Sequence, residues 1–153
     1  MKIFFPIALF IAGIQFGHAY EVAGAKPIDK LDAEVAKVKE SKKLICIVYT
    51  GRDESCPNCA EAAEAGVKAV RGATECVVIK EAQVKDKAIT DKLTPAVRKM
   101  LAQQPTNAWV SFSVYDAEMN TLIATIGRTE LQKDKKAIKA FTEKVRAAKD
   151  ELK

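Results

Sequence analysis

Cys56 and Cys59 stand three positions apart in the run Cys-Pro-Asn-Cys. A thiol attacks disulfides and binds metals only as its thiolate, so the setting of each sulfur decides what such a pair does. At the mouth of a helix, Cys56 would meet unpaired backbone N–H groups and the positive end of the helix dipole. Both favour an anionic sulfur. Cys59 would then lie one turn inward, near enough to close a small disulfide ring with Cys56. Reversible thiol–disulfide exchange needs an activated thiol beside a shielded partner. Pro57 fits the first helical turn because it has no N–H to lose there. Asn58 and Pro57, lying between the sulfurs, are the positions that would tune the redox potential.

Two other chemistries use the same spacing. A zinc site needs two further ligands at suitable spacing. Cys46 and Cys76 instead stand singly within apolar strands, and the one histidine, His18, lies in the leader. Haem attachment requires His directly after the second cysteine, where this chain has Ala60. No metal ligand set and no cofactor are therefore expected. Cys46 and Cys76 read as small buried core residues on neighbouring strands. A structural disulfide between them would require the correct facing of both side chains.

The elements that must hold the pair follow from periodicity. Leu44 to Tyr49 is a continuous apolar, β-branched run, the pattern of a strand covered on both faces. A polar loop, Thr50 to Ser55, leads into a helical pattern from Pro57 to Arg71. Ala60, Ala63, Val67 and Val70 form its inner stripe, with Glu61, Glu64, Lys68 and Arg71 outside. Gly72 ends it. Cys76 to Glu81 reads as a second strand, parallel to the first because a helix joins them. Ile28, Leu31, Val35 and Val38 mark a helix over residues 28–41 ahead of this unit. Thr94-Pro95 starts another helix that runs to Ala102. Asn107 to Tyr115 and Thr121 to Ile126 then flank a turn at Asp116–Asn120, as a hairpin does. Ile138, Phe141, Val145, Ala148 and Leu152 mark a C-terminal helix with a lysine-rich outer face. Trp109 and Tyr115 read as strand residues filling the core or one sheet face, ahead of a reading as substrate contacts.

The first residues read as an address. Met1-Lys2, an apolar run from Ile3 to Phe16, and then Gly17-His18-Ala19 have the order of a secretory signal. Residues 1–19 are expected to be removed, with Ala23-Gly24-Ala25 a second cleavage candidate, which leaves residues 20–153 as one domain. The apolar run is shorter than the roughly 20 residues of a membrane span. A periplasmic or secreted location follows, where disulfides persist. Lys149-Asp150-Glu151-Leu152 spells a retention signal, but Lys153 follows it, so it reads as the end of a charged helix.

Composition narrows the class further. The 153 residues are 48% hydrophobic and 29% charged, an ordinary globular balance. Four cysteines are too few for a disulfide-built scaffold. The net charge of +5 comes from 25 basic and 20 acidic residues. Because Lys interleaves with Glu and Asp, the charge reads as solvated helix faces, and no nucleic-acid partner is expected.

With these residues in place, the chain from about Ile28 to Lys149 resembles the thioredoxin-fold proteins. That resemblance implies a four-stranded mixed sheet with helices on both faces, plus an extra N-terminal helix. It identifies Pro105, in Gln104-Pro105-Thr106, with the family's cis-proline facing the active-site cysteines. By the same likeness Gln104, Pro105 and Thr106 would bind substrate, with the Gln104 backbone pairing to a substrate strand. Gly127 matches the family's glycine beside the site. Ser55 replaces the tryptophan that precedes the motif in thioredoxin itself. Proline directly after the first cysteine is closer to glutaredoxins and periplasmic disulfide oxidases. Tyr49 or Thr50 falls where thioredoxins keep a buried Asp, so a proton on Cys59 would leave through water or another group. Arg52, Asp53 and Glu54 read first as solvated loop charges; the sharper reading has Arg52 support a Cys56 thiolate and Asp53 and Glu54 oppose it.

The implied function is an exported thiol–disulfide oxidoreductase with Cys56 as nucleophile and Cys59 as resolving thiol. Its substrates would be protein thiols and disulfides. A separate redox partner would recharge it, and it would act as a monomer without a membrane span. The other reading is a redox-inert binding or chaperone-like module with a fixed Cys56–Cys59 disulfide, since fold alone does not give activity.

Overall fold

A computed structural model describes residues 22–51, 56–104 and 109–152. Residues 1–21, the expected signal among them, lie outside the described residues, as do Arg52, Asp53, Glu54 and Ser55, residues 105–108, and Lys153. The chain is α/β and forms one mixed sheet. Its strands are β1 (Ala25–Pro27), β2 (Leu44–Thr50), β3 (Thr74–Lys80), β4 (Val110–Tyr115) and β5 (Leu122–Gly127). They lie in the order β1-β3-β2-β4-β5. β3 is parallel to both β1 and β2, whereas β4 is antiparallel to β2 and to β5.

The sheet thus has five strands where the sequence suggested four. The added strand, β1, is three residues long and has no alternation of its own. It exists because the edge of β3 needs hydrogen-bond partners, and Ala25, Lys26 and Pro27 lie opposite Cys76, Val77 and Val78. Pro27 is tolerated there because an edge strand does not use every N–H.

Helices cover both faces, and β2 explains why its whole sequence is apolar. Leu44, Cys46 and Val48 point into one core with α2 (Pro57–Val70), α6 (Arg128–Lys133) and α7 (Lys135–Asp150). Ile45, Ile47 and Tyr49 point into a second core with α1 (Leu31–Ser41) and α5 (Pro95–Ala102). Successive side chains in a strand alternate between faces, so a central strand between two helical layers needs an apolar residue at every position. A single 3-10 turn, Ile28–Lys30, precedes α1, so the expected helix over 28–41 is divided in two. Two short helices, α3 (Glu81–Val84) and α4 (Lys87–Thr90), occupy the passage from β3 to α5. Glu81 belongs to α3 and not to the preceding strand.

Helix α2 seats unusually close to the sheet. Its buried positions are Cys59, Ala62, Ala63, Gly66, Val67 and Val70, nearly all small. A Cβ placed on Gly66 would drive into the ring of Phe112 on β4. Glycine there lets the helix lie flat on the aromatic ring. The expected outer face holds, with Glu61, Glu64, Lys68 and Arg71 exposed, while Ala60 is only half-buried. Helix α7 begins at Asp134, whose side chain accepts from the N–H groups of Lys136 and Ala137 at 2.9 Å each. Among the described residues no helix is long and apolar enough to cross a membrane.

Candidate functional site

Register brings three separate segments to one end of the sheet. Thr50, the last residue of β2, pairs with Val110, the first of β4. On β4, Ser111 pairs with Gly127, the last residue of β5. The residues just beyond these pairs are Gly51, Trp109 and Arg128, so all three emerge at the same edge. Gly51 N–H donates to the Trp109 carbonyl at 2.9 Å, closing that edge. From here the chain passes through its loop into Cys56 and α2.

Cys56 is the N-cap of α2, with extended backbone (φ −73°, ψ 108°), and Pro57 opens the helix. The Cys56 carbonyl accepts from the N–H groups of Cys59 at 3.0 Å and Ala60 at 3.2 Å. Its sulfur makes no capping hydrogen bond. Cys56 is half-exposed, whereas Cys59 is fully buried among the residues of the first core. All four cysteines are free thiols.

The two sulfurs ionise differently. The Cys59 thiol donates to Cys56 and holds the Cys56 pKa below its ordinary value, helped by the Cys59 and Asn58 backbone N–H groups and by Arg128, and opposed by partial burial. Burial and that same hydrogen bond push Cys59 up to about 11, against a smaller pull from Arg128. One sulfur favours its thiolate and its neighbour keeps its proton.

Arg128 was not among the residues that the sequence singled out. Its Nη1 lies 3.9 Å from Cys56 Sγ and 3.8 Å from Cys59 Sγ. The guanidinium carbon sits 5.1 Å from the centroid of the Trp109 ring, within cation–π range. One turn later on α6, Gln132 Nε2 donates to the Asn58 carbonyl at 2.9 Å. Residues four apart share a helix face, so α6 directs both side chains onto the first turn of α2. This six-residue helix lacks the periodicity that would have marked it. The only nearby signal was Gly127, which ends β5 and precedes the arginine.

Trp109 corrects an expectation. It lies one residue before β4, is 37% exposed, and stacks on Arg128 instead of filling the core. Tyr115, by contrast, is fully buried, as its strand position implied. Gln104 is half-buried, and its side-chain Oε1 accepts from Ser111 Oγ at 3.0 Å, which ties the end of α5 to β4. Pro105 and Thr106 lie outside the described residues, as do Arg52, Asp53 and Glu54. The position ending β2 is taken by buried Thr50. Among the described residues the charged group that acts on Cys59 is a cation, Arg128.

Cys46 and Cys76 lie directly opposite each other on β2 and β3 and belong to the same core. Thr74 Oγ1 lies 3.5 Å from Cys76 Sγ. Burial holds the Cys46 thiol well above its ordinary pKa, so it remains protonated. No group of three or more His, Cys, Asp or Glu among the described residues is arranged to hold a metal ion.

No family model matches the chain, and no curated protein or solved structure is significantly similar to it.

Proposed function

We propose that the chain is an exported, thioredoxin-like thiol–disulfide oxidoreductase that acts on protein cysteines through a reversible Cys56–Cys59 disulfide. The observation that carries this reading is the asymmetry of the pair: a half-exposed sulfur with lowered pKa at a helix mouth, and a buried one raised to about 11 one turn inside. A mixed sheet covered on both faces, with the Cys-Pro-Asn-Cys helix leaving a central strand, supports the thioredoxin likeness. Cys56 forms the mixed disulfide, and Cys59 resolves it. Pro57 and Asn58 tune the pair, while Gln104, Pro105 and Thr106 bind the substrate. No cofactor is required, but a separate redox partner must restore the resting state. The leader sequence supports export to the periplasm or exterior.

Trapping tests the reading. Cys59→Ser should hold mixed disulfides with protein clients, and Cys56→Ser should hold none. If Cys59→Ser traps nothing and the parent protein neither reduces insulin nor oxidises a reduced test protein, the motif is a fixed structural crosslink.

A further inference from the structure

We infer that Arg128, held against the indole of Trp109, is the counter-ion that stabilises the reduced Cys56–Cys59 pair and biases it to take electrons from client dithiols. This inference rests on the oxidoreductase reading and adds to it a direction, a substrate class (reduced protein dithiols) and a residue that touches the reacting sulfurs.

The geometry has three parts. A single guanidinium nitrogen lies within 3.9 Å of both sulfurs, so one cation serves whichever sulfur carries the charge. The same guanidinium lies over the Trp109 ring, 5.1 Å from its centroid, and the ring attracts a cation without neutralising it. Among the described residues, no carboxylate forms an ion pair with Arg128. The partners this guanidinium shows there are the two sulfurs and the indole. A disulfide carries no charge, so a fixed cation beside it stabilises only the reduced, anionic state. Stabilising the reduced state of such a pair makes it a stronger oxidant.

In the reaction, a client thiolate attacks Cys56 Sγ and the Cys56–Cys59 bond breaks. Cys59 leaves as a thiolate facing Arg128 and takes up a proton. The second client thiolate then attacks the client sulfur of the mixed disulfide and displaces Cys56 as a thiolate, again facing Arg128. The client loses two electrons and two protons. The pair gains both electrons and one proton, and the other proton passes to solvent. Lowering the pKa of a leaving sulfur speeds its departure, and Arg128 pulls down both the Cys59 and the Cys56 values, so it assists both displacements. A further disulfide of higher potential re-oxidises the pair.

The test compares the parent with Arg128→Met, Arg128→Lys and Trp109→Ala in glutathione redox buffers, with folding checked by circular dichroism. Arg128→Met should shift the equilibrium roughly tenfold toward the protein disulfide, about 30 mV, and raise the pH midpoint for Cys56 alkylation. Arg128→Lys should restore part of both shifts, and Trp109→Ala should move both in the same direction by less. A folded Arg128→Met protein whose equilibrium and alkylation midpoint match the parent's, or whose pair becomes more oxidising, overturns the role of Arg128 while leaving the oxidoreductase reading intact. Should Arg128→Met fail to fold, the Lys and Trp109→Ala variants decide on the same two readouts. A parent protein that never exchanges with glutathione removes the oxidoreductase reading itself, and this inference with it.

Discussion

A sulfur at a helix mouth and a second sulfur one turn inside it face opposite ionisation demands. Cys56, with its lowered pKa, should be alkylated in the reduced protein with a midpoint below that of a free thiol, while Cys59 should resist until the pH approaches about 11. The sign carries over to stability. Because the folded pKa of Cys56 is depressed, its contribution is present above the ordinary thiol value of 9.0 and is lost as pH falls through the folded value. Because that of Cys59 is raised, its contribution is present below 9.0 and is lost as pH climbs toward about 11. Rapid-quench alkylation followed by mass mapping separates the two thiols; equal midpoints would contradict the asymmetry. The cysteines themselves were legible, since spacing and a helix-starting proline suffice to mark them. Arg128 was not, because what places it beside the sulfurs is the pairing of Gly127 with Ser111, a contact between residues distant in sequence. Trp109 was misread for a related reason: its apolar neighbours suggested a strand, yet it stands one position outside β4 and stays exposed.

Elements follow the same rule of local against distant causes. β2 and α2 could be read from the chain because each carries its own pattern, unbroken apolar residues in one and a small-residue stripe in the other. β1 and α6 carry no pattern and are held by what they touch. The close seating of α2 gives the test at this scale. Gly66→Ala would ordinarily favour a helix by up to about 1 kcal/mol, but here the new methyl meets the Phe112 ring. Overpacking of this kind costs about 1–3 kcal/mol, so against that full gain the net effect in urea titrations should be a destabilisation of up to about 2 kcal/mol. Phe112→Leu in the same chain should recover part of the loss, because contacting residues couple in double-mutant cycles. A Gly66→Ala protein more stable than the parent would mean that α2 does not sit flat on β4.

At the scale of the whole molecule, two cores share one central strand and should not melt apart. Leu44 faces one core and Ile47 the other, and both are almost fully buried. Leu44→Ala and Ile47→Ala should each cost about 2–5 kcal/mol. Each should shift a single transition, with circular dichroism and amide exchange of β2 and β3 reporting the same midpoint. A biphasic curve in either variant would mean that the layers unfold separately. The architecture of a mixed sheet between helical layers was therefore readable from alternation, whereas its fifth strand was settled by the hydrogen-bonding needs of an edge. One feature of that sheet end reaches beyond stability. The chain has a single tryptophan, and it stands against the cation that touches both sulfurs. All indole emission from this molecule thus originates beside the thiol pair, so its brightness should follow the oxidation state without any attached dye.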